Sequence, residues 1–150
     1  DEGATCGSLA FHQPVYLPTT GTYTVIVDAR YNYTATVSVT AYLVADDIVG
    51  TLTMNGSTVP VTLTTVGQKA RLTFTASAGQ QVTVRLTSNT MGQTTVRLLK
   101  PNGNLQTYWT SSSSSFNLTT QTLSTAGTYT VEVDPNDTNL GGISVQVTSP

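Results

Sequence analysis

The hard oxygen donors of this chain gather in Asp134-Pro135-Asn136-Asp137-Thr138-Asn139. Carboxylate and amide oxygens at that spacing are what a calcium ion takes. Asp134, Asp137 and Asn139 are therefore the calcium candidates. The competing reading is a capped turn, in which Asp and Asn side chains bond their own backbone. Structural zinc requires four N or S ligands, and the chain has one cysteine, Cys6, and one histidine, His12. No other cofactor is indicated. A second chemistry is stacking on sugar rings. Tyr108-Trp109 is an adjacent bulky pair beside a run of serines, and Tyr31 and Tyr33 share one face of a strand or turn. Neighbouring strand residues face opposite sides, so at most one of Tyr108 and Trp109 points inward. A lone Trp in a sandwich belongs more readily to the core; outside it, Trp109 offers a glycan platform.

Catalysis is not expected. His12 sits in Phe11-His12-Gln13-Pro14, and no Gly-x-Ser-x-Gly elbow surrounds any serine. Glycosidases need two carboxylates about 5–10 Å apart in a cleft. The acids here fall mostly at expected strand ends: Asp28, Asp46, Asp47, Asp134 and Asp137.

Charged residues make up 9% of the chain and the formal net charge is −2, against about 25% charged residues in an ordinary soluble domain. Six scattered Lys and Arg cannot supply the clustered cations that nucleic acid requires. No run approaches the ~18 apolar residues of a membrane helix, and no basic-then-apolar signal segment opens the chain. With a single cysteine, Cys6 is either a small apolar filler or a link to another chain.

Elements that could position such residues follow from period-2 alternation, which dominates the chain. The rows Tyr23-Val25-Val27, Ala35-Val37-Val39-Ala41, Val59-Val61-Leu63, Ala70-Leu72-Phe74, Val82-Val84-Leu86, Val96-Leu98, Tyr129-Val131-Val133 and Ile143-Val145-Val147 are predicted to face inward, with Thr, Ser, Arg or Gln between. That pattern predicts antiparallel sheets covered on one side, with essentially no helix. Asn55-Gly56 predicts a type I′ hairpin turn. Pro101-Asn102-Gly103 predicts a tight turn, and Gly67, Gly79 and Gly92 punctuate strands.

Gly21-Thr-Tyr-Thr-Val-Ile-Val-Asp28 returns as Gly127-Thr-Tyr-Thr-Val-Glu-Val-Asp134, an offset of 106 positions. A repeat of this kind sets the chain organisation. The expectation is an all-β, antiparallel β-sandwich of jelly-roll or immunoglobulin-like style. Residues 47–150 form one complete module, and residues 1–46 form the C-terminal half of another. A half-sandwich leaves apolar side chains and strand edges uncovered, so the first 46 residues require completion by the full module, by another module or by a second chain.

Leu63-Thr-Thr-x-Gly-Gln68, Leu72-Thr-Phe74, Gly79-Gln80-x-Val82, Lys100-Pro101-Asn-Gly103 and Gly127-Thr-Tyr-Thr-Val131 are similar to the tandem β-modules of large secreted and surface bacterial proteins. In style they resemble the pre-peptidase C-terminal domains that flank bacterial peptidases and glycosidases. The resemblance implies an extracellular or cell-surface, non-catalytic structural or adhesive module. Such a module works as a spacer or assembly unit, pairing strands with neighbouring modules or identical chains. The alternative it allows is a carbohydrate-binding module using exposed aromatics on polysaccharide.

Overall fold

The computed structural model describes residues 11–28, 34 and 36–150; Cys6, Tyr31, Tyr33 and Ala35 lie outside the described residues. Among the described residues ten strands run in order: β1 (Ile48–Thr51), β2 (Val59–Leu63), β3 (Ala70–Ala76), β4 (Gln81–Thr87), β5 (Thr94–Leu99), β6 (Leu105–Ser111), β7 (Phe116–Asn117), β8 (Gln121–Thr122), β9 (Gly127–Pro135) and β10 (Gly141–Thr148). One sheet has the order β1-β3-β9-β5-β6. The other has the order β2-β10-β4-β7, with β8 also on β4. There is no helix among the described residues. The protein is an all-β sandwich.

Alternation produces the two layers. In β3, Ala70, Leu72 and Phe74 are buried while Arg71 and Thr75 are exposed. The same inward rows predicted for β2, β4, β5, β9 and β10 make up most of a single core. Burying each large apolar side chain there is worth about 1.5–3 kcal/mol. Phe74 and Tyr129 are opposite each other in the β3–β9 register. Their rings stack with centroids 5.8 Å apart, the offset geometry that aromatic pairs favour. The Tyr129 hydroxyl donates to the Thr125 carbonyl at 2.8 Å, closing the bend that leads into β9. Gly127 opens the strand at φ 145°, and a Cβ there would come within 2.8 Å of Pro101 Cγ. The Pro101 turn joins β5 to β6, with Gly103 N bonding the Lys100 carbonyl at 2.8 Å.

Three sequence expectations are corrected. β1 pairs with β3 in parallel, so the sheets are not antiparallel throughout. Asn55-Gly56 does not make a hairpin: β1 and β2 lie in different sheets. Only Asn55 of the pair has positive φ, 58°. The chain crosses between layers there, and Asn55 ties the crossing to the end of β10 by accepting from Ser149 N at 2.9 Å. The third correction concerns the predicted strands around Tyr23–Val27 and Val37–Val39. No ladder forms among the described residues before Ile48; β3 and β5, the two neighbours that a strand like β9 requires, are already paired with β9 itself.

These residues form an arm whose two ends meet at the β2–β3 connection. Gln68 Nε2 donates to the Asp46 carbonyl at 2.7 Å, and Gln68 Oε1 accepts from Thr64 N at 3.1 Å. Gly67 has φ 84°, and a Cβ on it would lie 2.8 Å from Pro14 Cγ and 3.3 Å from Val44 Cγ2. Between those contacts the large apolar side chains of the described residues from Val15 to Leu43 are exposed. One local feature of β9 recurs in the arm: the Tyr23 hydroxyl donates to the Thr19 carbonyl at 2.6 Å.

Removing the Tyr129 hydroxyl deletes a half-buried bond, whereas Tyr23 is exposed. Tyr129→Phe is expected to lower stability by about 0.5–1.5 kcal/mol in urea unfolding, and Tyr23→Phe to leave the transition in place.

Candidate functional site

The outward face of the first sheet carries its chemistry on three adjacent strands. Registers place Arg71 of β3 and Arg97 of β5 directly opposite Glu132 of β9, one on each side. Glu132 accepts from Arg71 Nη2 at 2.8 Å and from Arg97 Nη1 at 3.0 Å. One step along β9 on the same face, Asp134 Oδ2 accepts from Arg97 Nη1 at 2.8 Å and from Lys69 Nζ at 3.1 Å. Asp47, just before β1, completes the set: its Oδ2 accepts from Arg71 Nε at 3.0 Å, and its Oδ1 from Lys69 N at 3.2 Å. Three cations thus meet three carboxylates.

Glu132 and Asp134 are buried, while the two arginines lie part-way into solvent. The long cationic side chains cover the carboxylates and apolar surface together. Burial alone pulls the Arg97 pKa down, but the hydrogen bond and charge of Asp134, then those of Glu132, outweigh it and hold it above its ordinary value. A raised cation stabilises the fold at all pH below its unfolded value, and that contribution is lost only as pH climbs through the raised one. The guanidinium therefore keeps its charge across the neutral and mildly alkaline range. A shallow depression of about 440 Å³ opens over this network, where Gln13, Pro14 and Val44 of the arm approach it.

Cross-strand spacing hid this cluster from the sequence. Its one-dimensional trace is the pair of outward i, i+2 runs, Lys69-x-Arg71 and Glu132-x-Asp134, whose complementarity appears only once the register is known.

The three calcium candidates lie at the end of β9 and in the turn after it. The Asp134 carboxylate faces Lys69 and Arg97. Asp137 is exposed with φ 57°. Asn139 N bonds the Asn136 carbonyl at 3.2 Å, and Asn136 N bonds the Gln93 carbonyl at 2.9 Å. The Asn136 side chain accepts from the Thr95 hydroxyl at 3.0 Å. Among the described residues no group of three or more His, Cys, Asp and Glu is assembled to hold a metal.

The aromatic candidates separate. Tyr108 pairs with Arg97 and so stands on the charged face, while Trp109 pairs with Val96 and stands on the opposite one. Both are exposed, at 59% and 53%. The expectation of a core Trp fails because β6 is the last strand of its sheet, and only one side of an edge strand is flanked. His12 is an exposed residue of the arm.

This fold, with its closed ionic face, defines a β-sandwich module whose charged groups on that face are mutually paired. Residues 69–135 match the family model of the bacterial pre-peptidase C-terminal domain. The resemblance read from the sequence therefore holds across that stretch. Among solved structures, the pre-peptidase C-terminal domain of a collagenase from Bacillus anthracis superposes with a TM-score of 0.53 at 14% identity, over 67% of this chain and 93% of that one. PliG from Aeromonas hydrophila, a periplasmic inhibitor of g-type lysozyme, gives a TM-score of 0.46 at 14% identity, over 67% and 98%. No curated protein matches the chain.

Arg97→Met leaves Glu132 and Asp134 buried with one cation each. We expect it to cost about 1–3 kcal/mol, since buried charges that lose a partner are penalised. Lys100→Met, outside the network, is expected to fall within about 0.5 kcal/mol of the parent. Paired urea titrations measure both.

Proposed function

We propose that this chain is a non-catalytic, extracellular structural or adhesive module of an exported bacterial protein, acting as a spacer or assembly unit through strand pairing. The observation that carries this reading is the arm. Val15, Tyr16, Val25, Ile26, Val37 and Leu43 lie open to water on a segment whose described residues form no ladder, and exposed apolar surface of that extent marks an interaction site. Addition of an extended segment to other strands gives affinity through main-chain hydrogen bonds and specificity through alternate side chains. The match of residues 69–135 to a domain found beside secreted enzymes supports an accessory, extracellular role. The mutually paired carboxylates of the charged face fit a role without catalysis. The partners are neighbouring modules or identical chains.

Sedimentation and light scattering across a range of concentrations test the assembly reading. The full chain is expected to form concentration-dependent oligomers, and deletion of residues 1–46 to abolish them while the sandwich stays folded. A chain that is monomeric at every concentration, with or without the arm, removes the intermolecular version.

The exposure of Trp109 and Tyr108 favours a second reading, in which the β6 edge binds polysaccharide through aromatic side chains. On that reading soluble polysaccharides shift or quench the emission of Trp109, and Tyr108→Ala weakens retention on an insoluble glycan. Unchanged emission across a polysaccharide panel removes it.

A further inference from the structure

We infer that residues 17–28 are a central sheet strand awaiting two flanking strands of another sandwich, and that those strands present uncharged side chains where β3 and β5 carry Arg71 and Arg97. The inference rests on the strand-pairing reading above and specifies its partner.

The template is β9 itself. Residues 17–28 differ from residues 123–134 at three places only: Pro18 for Ser124, Thr20 for Ala126 and Ile26 for Glu132. The entry bend is already set in the arm, since Tyr23 bonds Thr19 as Tyr129 bonds Thr125. What differs is cover. Val131 and Val133 are 0% exposed, whereas Val25 and Val27 are 70% and 58% exposed. Gly127 is pressed by Pro101, and nothing lies within 4 Å of a Cβ built on Gly21. A strand of this kind needs neighbours on both backbone edges and a second layer beneath it.

The sandwich of this same chain does not fit that need. β9 fills the space between β3 and β5 with ladders on both sides. The outward residue also disagrees. At the place where Glu132 neutralises two guanidiniums, the arm carries Ile26, which is 82% exposed. Seating Ile26 between Arg71 and Arg97 deprives both of a carboxylate and covers charge with a methyl group, an arrangement that burial penalises. Asp28 keeps the place of Asp134, so a cation equivalent to Lys69 belongs beside it. The occupant is therefore a sandwich sheet of this architecture with an open central position, neutral side chains opposite Ile26 and one cation near Asp28. A second copy of this chain offers the arm its open sheet edges, β1 and β6, but no such central position.

The full chain tests this through its own β9. Ser124→Pro, Ala126→Thr and Glu132→Ile together turn residues 123–134 into the sequence of the arm. The triple variant is expected to unfold cooperatively, at a midpoint several degrees below the parent. Adding Arg71→Thr and Arg97→Val is expected to recover most of that loss, although the same two changes lower the midpoint of the parent. Opposite signs in the two backgrounds are the signature of coupling. A five-fold variant no more stable than the triple variant, or absence of a cooperative transition in both, overturns the inference. A triple variant as stable as the parent also overturns it, because an arginine-flanked copy of this chain then accepts the arm equally well. The outcomes separate from those of the assembly test: failed recovery with arm-dependent oligomers discards this partner and keeps strand pairing.

Discussion

A strand in the middle of a sheet has two rows of backbone donors and acceptors, and each must find a partner. In this sandwich β9 is where that requirement is met most fully. It is paired along β3 on one edge and β5 on the other. Its inward side chains, Tyr129, Val131 and Val133, are sealed against the second layer. Much else follows from its position. Tyr129 locks the bend before it, Gly127 admits Pro101 at its start, and Glu132 and Asp134 on its outer face organise the cations of both neighbouring strands.

The ionic face is best understood as cover for that central strand. Three cations against three carboxylates leave little net field to draw in a charged ligand. Each partly exposed pair taken alone is worth about 0–1 kcal/mol. The network matters because its carboxylates are buried, so the cations prevent a penalty more than they add attraction. This also reconciles a sparsely charged sequence with a concentrated charge cluster: six of the fourteen formally charged side chains converge on one patch.

Much of the architecture was legible in the alternation of residues such as Leu72, Phe74, Val131 and Val145, because strand side chains have a fixed period of two and the inner face admits only apolar groups. Turns with a steric signature were also readable; Gly67, Gly79, Gly92 and Gly103 all adopt positive φ. Pairing was less so. Asn55-Gly56 has the local chemistry of a hairpin, yet the strands on either side of it join different sheets, a choice made by distant partners. β1 was missed because Ile48–Thr51 is short and lies parallel to β3 at a sheet edge. For Trp109 residue type favours the core but leaves the surface open, and only the strand order shows that β6 has one neighbour. The charged cluster depends on register among three strands distant in sequence, which no spacing along the chain reveals.

The clasp at the β2–β3 connection has a mechanical consequence. Residues near both ends of the arm, Pro14 on one side and Val44 to Asp46 on the other, converge on Thr64–Gln68. Tension applied through a partner holding the arm therefore reaches Gln68 and Gly67 first. The Gln68 side chain bridges Asp46 and Thr64, so it acts as a fuse. Two single hydrogen bonds thus stand between a load on the arm and the long ladders around β9.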